Sequence, residues 1–211
     1  FHFQFGIPEN QIAVLMGPSH AEEVAMNRLT FLTVGCSDET RAQQLADVIQ
    51  SDYLQVRTSI DVKGIEYASV LKNIYAIGAG IYNGLGYGDN LQAVYMANAA
   101  SEMADVLNLL SPSQDRNITN SVYVGDLLVT GYSDFSRNRI FGTMVGKGYS
   151  IKAAQTEMEM IAEGYYGAKC ITAILDEYKN FSFPIIRMVY DILYEGAVPA
   201  LRVKELIQNF R

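Results

Sequence analysis

One lysine stands within the most apolar part of the chain and is a candidate for proton transfer. Lys72 is the only charged residue between Glu66 and Asp89. On a helix, its neighbours three and four positions away carry no charge: they are Ala68, Ser69, Tyr75 and Ala76. Burial disfavours a charged ammonium group and lowers the pKa of a lysine towards the range that suits a general acid or base. The alternative is a lysine that reaches solvent or pairs with a structural carboxylate.

A single carboxylate stands in a second apolar stretch, in the second half of the chain. Asp126 is the one acid in the apolar stretch YVGDLLVT, and Thr130 lies one helical turn beyond it. An unpaired buried carboxylate is costly, so Asp126 needs a partner, and Lys72 is our candidate.

The segment SDFSRNRIFG, which comes shortly after Asp126, concentrates hydrogen-bond donors: Ser136, Arg137, Asn138 and Arg139. In so acidic a chain we interpret this segment as a loop that binds a phosphate group, the alternative being a solvated basic loop.

Glycines in two segments indicate a tight turn and a close approach between backbones. The segment MGPSHAEEVA places Gly17, Pro18 and Ser19 between an apolar strand and a helix. Free amides at the start of that helix could hold an anion, but we favour a tight turn with Ser19 as the N-cap residue. Gly78 and Gly80 interrupt a helical pattern further along. Because glycine weakens a helix, they indicate the close approach of a backbone or a ligand, and we favour helix packing.

The elements that position these residues change in character near residue 60. Over residues 11–59, short apolar runs alternate with helical patterns in a β-α-β-α-β order. Asp38 is the predicted N-cap residue of the second helix. The apolar residues of that helix recur at helical spacing, and they are Leu45, Val48 and Ile49. The continuous apolar character of the strands predicts a sheet that is covered on both faces.

Helical patterns dominate from residue 61 to the end of the sequence. Breaks are predicted at residues 84–88, 111–120 and 131–134 and at Pro184. We therefore predict a mostly α protein with a boundary near residue 60, which divides it into residues 1–60 and 61–211. The first residues include neither a starting Met nor a signal peptide, so we expect a fragment that opens within a domain.

The composition argues against several classes of protein. The chain has 211 residues, of which 49% are hydrophobic, so it can bury a core, and its formal net charge of −7 argues against binding to nucleic acid. Cys36 and Cys170 show no metal-ligand spacing and are too few for a disulfide framework. We therefore expect free thiols, no metal and a cytoplasmic protein. The most apolar stretch, residues 74–87, is interrupted by Asn83 and glycines. It falls short of the roughly 20 apolar residues of a membrane span, so we expect no stable membrane insertion.

Several segments, taken in order, form the pattern of one enzyme family. They are GPSHAEEVA, LKNIYAIGAGI with GDN, GDLLVT, SRNRIFG, EGYYGAK and FPIIRMVYDILYEG. From Ile12 to Leu206 their order and spacing resemble NAD(P)-dependent glycerol-3-phosphate dehydrogenase. The resemblance implies reversible hydride transfer between NAD(P)H and dihydroxyacetone phosphate. The product would be sn-glycerol 3-phosphate for glycerophospholipid synthesis.

The same resemblance implies a fold and an assembly. Residues 1–60 would be the last β-α-β elements of a Rossmann domain. Residues 61–211 would be an all-helical substrate domain of the 6-phosphogluconate dehydrogenase C-terminal-like type, with the active site in the cleft between the domains. The glycine-rich dinucleotide motif does not occur in the sequence, so we expect it upstream of Phe1 and expect the fragment alone to be inactive. A homodimer is a further expectation.

The resemblance also assigns roles to individual residues. Lys72 matches the lysine that exchanges a proton with the reacting oxygen of the substrate. Arg137 matches the residue that clamps the phosphate group. All the matched substrate-binding positions are Gly17, Ser19, Lys72, Asn73, Asp126, Thr130, Ser136, Arg137 and Asn138. The matched dinucleotide-binding positions are Ala21, Arg137, Ile161 and Glu163.

Departures from the family pattern and two competing interpretations qualify this assignment. Asn98 stands where bacterial relatives usually have the arginine of TRG, and Tyr165 and Tyr166 stand where VEGVRTAK is common. These changes bear on cofactor preference and pocket closure.

The competing enzymatic interpretation is a related dehydrogenase for 6-phosphogluconate or a 3-hydroxyacyl substrate. A histidine base would be expected in a helical segment after residue 60, but the only histidines, His2 and His20, precede it. The non-enzymatic interpretation is a helical interaction module.

Overall fold

The computed structural model describes residues 2–210, except for the side chain of Phe3. The helices of this part of the chain are α1 (His2–Phe5), α2 (Ala21–Ala25), α3 (Glu39–Ile49), α4 (Val62–Gly84), α5 (Asp89–Leu110), α6 (Asp126–Tyr132), α7 (Arg137–Gly146), α8 (Ile151–Glu157), α9 (Glu163–Leu175), α10 (Pro184–Tyr194) and α11 (Pro199–Ile207). The strands are β1 (Ala13–Met16), β2 (Thr30–Cys36) and β3 (Leu54–Ser59). A short 3-10 helix spans Glu9–Gln11, and a π-helix spans Ser121–Gly125. The predicted mostly helical fold with β-α-β elements before residue 60 is confirmed.

The three strands form one mixed sheet in the order β1-β2-β3. β1 is antiparallel to β2, with Ala13 opposite Cys36, whereas β3 is parallel to β2, with Thr30 opposite Leu54. β2 is buried along nearly its whole length, but β1 and β3 keep partly exposed residues. Among the described residues, the predicted cover on both faces therefore holds for the central strand alone.

Helix α3 confirms the predicted cap and the predicted helix, and it shows which residues form the buried face. The Asp38 side chain accepts a hydrogen bond from the Arg41 amide at 3.1 Å. Val48 is 82% exposed and Leu45 is 37% exposed, so these two apolar residues do not form the buried face. The buried residues of α3 are Ala42 and Ala46, and Ile49 packs beside them. Small alanines at this spacing let the helix lie close to β2, which the longer side chains would prevent.

The described residues form two compact units. The first comprises residues 2–69 and Leu107–Asp126, and the second comprises Val70–Val106 and residues 127–210. Residues 107–126 belong to the first unit because Arg116 and Tyr123 both bind Asp61, which follows β3. The division into domains near residue 60 stays a prediction.

In the second unit, α4 and α7 approach so closely that only glycine fits at their crossing. A Cβ atom on Gly80 would overlap the Arg139 carbonyl oxygen and lie 2.8 Å from the Thr143 nitrogen. A Cβ atom on Gly142 would in turn overlap the Ile77 carbonyl oxygen. Gly78 packs in the same way against the Tyr95 hydroxyl group. The expectation that Gly78 and Gly80 serve helix packing is confirmed.

A buried carboxylate joins two helices of the same unit. Glu102 on α5 is 6% exposed and accepts hydrogen bonds from the first-turn amides of α10, Ile185 N at 2.8 Å and Ile186 N at 2.9 Å. Burial raises the pKa of Glu102 to about 7, because the loss of water outweighs the two amide hydrogen bonds. The negative charge of nearby Asp105 raises this pKa further.

This raised pKa predicts a pH-dependent stability. Glu102 binds its proton more tightly in the folded than in the unfolded protein, so its contribution is most favourable below pH 4.5 and is lost as the pH rises through about 7. Relative to Glu102→Gln, the free energy of unfolding of the wild type should fall by about 3 kcal/mol over this range. Chemical denaturation at several pH values measures the difference. Exposed Glu177→Gln is the control, and parallel curves for wild type and Glu102→Gln would contradict the prediction.

Residues 2–210 contain neither a membrane-spanning helix nor a cluster of metal ligands. None of their helices has the length and apolar character needed to cross a membrane. They contain no cluster of three or more histidine, cysteine or acidic residues placed to hold a metal ion. Cys36 is buried and Cys170 is exposed, and both are free thiols.

Candidate active site

Three helices of the second unit converge at the start of α9. The Asn138 side-chain oxygen, on α7, accepts a hydrogen bond from the Gly164 amide at 2.8 Å. A Cβ atom on Gly164 would lie 2.5 Å from the Asn73 carbonyl oxygen of α4. Glycine at this position therefore lets the first turn of α9 rest directly on the turn of α4 that follows Lys72. Asn138, which is 7% exposed, satisfies an amide that no residue of α9 can reach.

The side chains at this junction include four of the predicted site residues. The Asn73 amide donates to Glu163 Oε2 at 3.4 Å, and Arg137 Nη2 lies 3.8 Å from Glu163 Oε1. Arg137 Nη1 also lies 3.5 Å from the Met160 sulfur atom. The structure thus brings together Asn73, Arg137, Asn138 and Glu163, which are up to 90 positions apart in the sequence. The cluster presents amide and guanidinium donors around one carboxylate.

The segment around Arg137 is a helix start and not the predicted loop. The Ser136 hydroxyl group accepts a hydrogen bond from the Arg139 amide at 3.3 Å, which makes Ser136 the N-cap residue of α7. Arg137 and Asn138 consequently occupy the first turn. Arg139 Nη1 donates to Asp134 at 2.6 Å, so the two arginines are not equivalent. Among residues 2–210, the carboxylate that pairs with Arg137 is that of Glu163, at 3.8 Å, and the Arg137 side chain is 40% exposed, so Arg137 is the better candidate for an anionic ligand.

Lys72 lies on α4, immediately before Asn73 and two turns before Gly80. It is half-buried, and of its neighbours three and four positions away Ala68, Tyr75 and Ala76 are buried, whereas Ser69 is half-buried. Thr130 is buried on α6, one turn after Asp126. The pairing of Lys72 with Asp126 stays a prediction.

The first unit holds the remaining substrate candidates. Gly17 follows β1 with a φ of +137°, and a Cβ atom there would lie 2.7 Å from the Phe31 carbonyl oxygen, so the turn requires glycine. The Ser19 hydroxyl group donates to the Gly17 carbonyl oxygen at 2.9 Å. The prediction that Ser19 caps the following helix is wrong: α2 begins at Ala21, and His20 is its N-cap residue. The tight turn itself is confirmed.

The same turn lies beside the residue that precedes Asp126. A Cβ atom on Gly125 would lie 4.0 Å from Pro18 Cγ, and it would lie 3.3 Å from the Ser121 side chain. Asp126 is 2% exposed and is the first residue of α6. The structure therefore brings Pro18 of the GPS turn close to Gly125, and both residues belong to the first unit. Ala21 is exposed at the start of α2.

A hollow of about 270 Å³ lies between α8 and α9. Its wall includes Met160, Ile161, Tyr165 and Tyr166. It is slightly smaller than typical ligand pockets, which measure roughly 300 to 1,000 Å³. Tyr165 packs on the Tyr194 ring with centroids 4.8 Å apart, and Tyr194 donates to the Tyr165 carbonyl oxygen at 2.6 Å. Tyr165, at one of the departures from the family pattern, therefore connects α9 to α10.

Asn98 is the other departure from the family pattern. Its side-chain amide donates a hydrogen bond to the Val94 carbonyl oxygen at 2.9 Å.

Sequence reasoning missed two features. Met160 and Gly164, which contact Arg137 and Asn138, were not singled out, and glycine directly after Glu163 was the available signal. The ion pair between Asp61 and Arg116 was also missed. Arg116 is the only basic residue in the irregular segment SPSQDRNITN, and Asp61 lies two residues after the end of β3.

Comparison with known proteins identifies the family of the chain. The family model for the NAD-dependent glycerol-3-phosphate dehydrogenase C-terminus matches residues 61–204, and the model for the N-terminus matches residues 4–42. Glycerol-3-phosphate dehydrogenase [NAD(P)+] 2 of Salinibacter ruber is 36% identical over 96% of this chain and 58% of its own length. The enzyme of Latilactobacillus sakei is 37% identical over 95% of this chain, again with 58% of its own length covered.

Solved structures give the same result. The crystal structure of glycerol-3-phosphate dehydrogenase from Coxiella burnetii matches with a TM-score of 0.88 and 31% identity, over 92% of this chain and 59% of that one. The structure of DsGPDH of Dunaliella salina matches with a TM-score of 0.83 and 26% identity, over 91% of this chain and 34% of that one. The chain thus spans somewhat more than half the length of the curated relatives it matches. Because the family model matches residues 61–204, the chain belongs to the NAD-dependent glycerol-3-phosphate dehydrogenase family.

Proposed function

We propose that the complete protein, meaning this chain with any residues that precede or follow it, is an NAD(P)-dependent glycerol-3-phosphate dehydrogenase. It interconverts dihydroxyacetone phosphate and sn-glycerol 3-phosphate. The observation that carries the proposal is the convergence of Asn73, Arg137, Asn138 and Glu163 where α4, α7 and α9 meet. Family membership supports it. The chain alone is inactive in this proposal, because it covers 58% of each relative.

Lys72 moves the proton of the reaction. NAD(P)H, when bound, supplies the hydride that adds to C2 of dihydroxyacetone phosphate. Lys72 Nζ gives its proton to the carbonyl oxygen on the same carbon, and the alcohol forms with no net charge on that oxygen. In the reverse direction, neutral Lys72 takes the proton of the C2 hydroxyl group while the hydride leaves. Asp126 holds the lysine in orientation.

The substrate phosphate binds at the start of α7. Arg137 offers a planar guanidinium group that can donate two parallel hydrogen bonds to phosphate oxygens. Because the Asn138 side-chain oxygen is held by the Gly164 amide, its NH₂ group is the part that remains to face a ligand. The other substrate contacts in this proposal are Gly17, Ser19, Asn73, Thr130 and Ser136.

The dinucleotide contacts are Ala21, Arg137, Ile161 and Glu163. The hollow beside Ile161 has room for a ring-sized part of such a cofactor, and the exposed Arg137 guanidinium suits its phosphate or ribose oxygens. These residues fit part of a dinucleotide and not the whole of one. The complete enzyme acts in the cytoplasm as a homodimer, does not bind nucleic acid and supplies glycerol 3-phosphate to glycerophospholipid synthesis.

The decisive experiment is a steady-state assay of the complete protein that follows the loss of NADH or NADPH with dihydroxyacetone phosphate. Turnover with this substrate is the expected result. Turnover with 6-phosphogluconate or a 3-hydroxyacyl substrate in its place would favour the related dehydrogenases. Absence of turnover with all of them would favour a non-enzymatic helical module.

A substitution at Arg137 tests phosphate recognition. Arg137→Lys keeps the charge but loses the bidentate geometry, so KM for dihydroxyacetone phosphate should rise about tenfold or more. The matched control is Arg139→Lys on the same helix, where the side chain binds Asp134 and KM should stay within about twofold. An unchanged KM in Arg137→Lys would show that this residue does not clamp the phosphate.

A further inference from the structure

A fully bonded carboxylate stands at the junction of β3 and α4. Asp61 Oδ2 accepts hydrogen bonds from Arg116 Nε and from the Tyr123 hydroxyl group, both at 2.6 Å. Asp61 Oδ1 accepts from Arg116 Nη2 at 2.9 Å and from the Gly64 amide at 3.2 Å. One carboxylate therefore caps α4 and holds two side chains of a segment that lies more than 50 positions away.

The three side chains are largely shielded from water. The Arg116 side chain is 3% exposed, that of Asp61 is 12% exposed, and Tyr123 is buried. Burial by itself raises the pKa of Asp61, but the hydrogen bonds from Arg116 and Tyr123 outweigh it and hold the pKa below its usual range. The carboxylate is therefore charged at neutral pH, and the contact with Arg116 is an ion pair.

The network holds a segment that has little regular structure of its own. Arg116 Nη2 also donates to the Ser111 carbonyl oxygen at 2.6 Å, which ties the end of α5 to the same point. Tyr123 is in the middle of the π-helix Ser121–Gly125, and Asp126 follows that helix directly. π-Helical turns are rare and frequently occur at functional sites. The Tyr123 hydroxyl group connects this π-helix to Asp61 through a hydrogen bond.

A stabilising role alone does not account for the arrangement. Buried ion pairs contribute little net stability compared with well-packed apolar residues, because removing both charges from water is costly. Their bidentate geometry does, however, fix the position of the groups that they join. Here the ion pair between Asp61 and Arg116 fixes the position of the π-helix and of the buried Asp126 carboxylate that follows it.

We propose that Asp61, Arg116 and Tyr123 are positioning residues that hold the π-helix and thereby set the place of Asp126. The inference rests on the proposed function in so far as Asp126 contacts the substrate. None of the three residues touches the substrate in this proposal. They act through Asp126, and their loss should affect the use of the substrate more than the binding of the dinucleotide.

The first test is kinetic and uses the complete protein. Tyr123→Phe should lower kcat/KM for dihydroxyacetone phosphate about tenfold, because misplacing a site group by about 1 Å can cost up to about 100-fold, with KM for the dinucleotide unchanged. Arg116→Lys should act in the same direction, since an ammonium group cannot donate two hydrogen bonds in the same fixed geometry. Tyr53→Phe is the control, because the half-buried Tyr53 makes no side-chain hydrogen bond within the described residues.

A double substitution separates positioning from general destabilisation. If Tyr123 acts through Asp126, Tyr123→Phe should have no further effect on kcat/KM in an Asp126→Asn background. Two losses that multiply would overturn the proposal, as would full activity in Tyr123→Phe.

The second test does not depend on the reaction. In Tyr123→Phe, amide hydrogens of residues 121–126 should exchange at least about tenfold faster than in the wild type, with β2 unchanged. Equal exchange rates over residues 121–126 would overturn the positioning proposal even in an active enzyme. Faster exchange in a protein that does not reduce dihydroxyacetone phosphate would support the proposal and contradict only the proposed function.

Discussion

Lys72→Ala in the complete protein should lower turnover of dihydroxyacetone phosphate about 100- to 10,000-fold, the range that follows from removing a positioned proton-transfer group. Binding of the dinucleotide should change little, because the proposed dinucleotide contacts do not include Lys72. Lys72→Arg should fail as well, since a guanidinium group keeps its proton at any working pH. Steady-state kinetics and a dinucleotide titration by fluorescence measure the two effects separately.

The matched control for this prediction is Lys63→Ala. Lys63 lies on the same helix but is exposed in its first turn, and its loss should leave turnover within about twofold of the wild type. Near-normal turnover in Lys72→Ala would refute the assignment. A large loss in Lys63→Ala with normal turnover in Lys72→Ala would move the acid/base role to Lys63.

Gly80→Ala should destabilise the protein by at least about 3 kcal/mol, at the upper end of the costs of overpacking. The added methyl group would meet the backbone of α7 at Arg139 and Thr143, and backbone atoms cannot move aside as a flexible side chain can. The two helices would have to separate. Because α4 carries Lys72 and Asn73 while α7 carries Arg137 and Asn138, any protein that still folds should also show a raised KM for the substrate.

Gly142→Ala should have a similar effect from the opposite helix, since its methyl group would overlap the Ile77 carbonyl oxygen. Gly88→Ala is the control, because a Cβ atom there meets nothing within 4 Å, and its effect should stay within about 0.5 kcal/mol. Thermal and denaturant unfolding provide the measurement. Equal stability of Gly80→Ala, Gly142→Ala and Gly88→Ala would contradict the close crossing of α4 and α7.

The sequence by itself determined those features whose physical cause is local. The alternation of short apolar runs with helical patterns predicted the order β1-α2-β2-α3-β3, because strand and helix periodicities appear within a few residues. Asp38 was identifiable as a cap because an N-cap residue and the amide it binds are three positions apart. The sequence alone also showed that Lys72 is isolated in an apolar stretch, and it showed the order of the segments that mark the family.

Tertiary structure decided which faces are buried and which distant residues meet. Periodicity alone did not distinguish Leu45 and Val48 from Ala42 and Ala46, because all four lie at helical spacing and the choice depends on how closely α3 approaches β2. The Asn73–Glu163 contact, across 90 positions, depends on how tightly helices pack against one another.

The Tyr123–Asp61 contact, across 62 positions, depends on the path of an irregular segment. Such contacts leave no periodic trace, because the chain between the partners can vary freely in length and composition. Lys72 could therefore be identified from its own neighbourhood. The groups proposed to position the substrate around it could be located only in the folded protein.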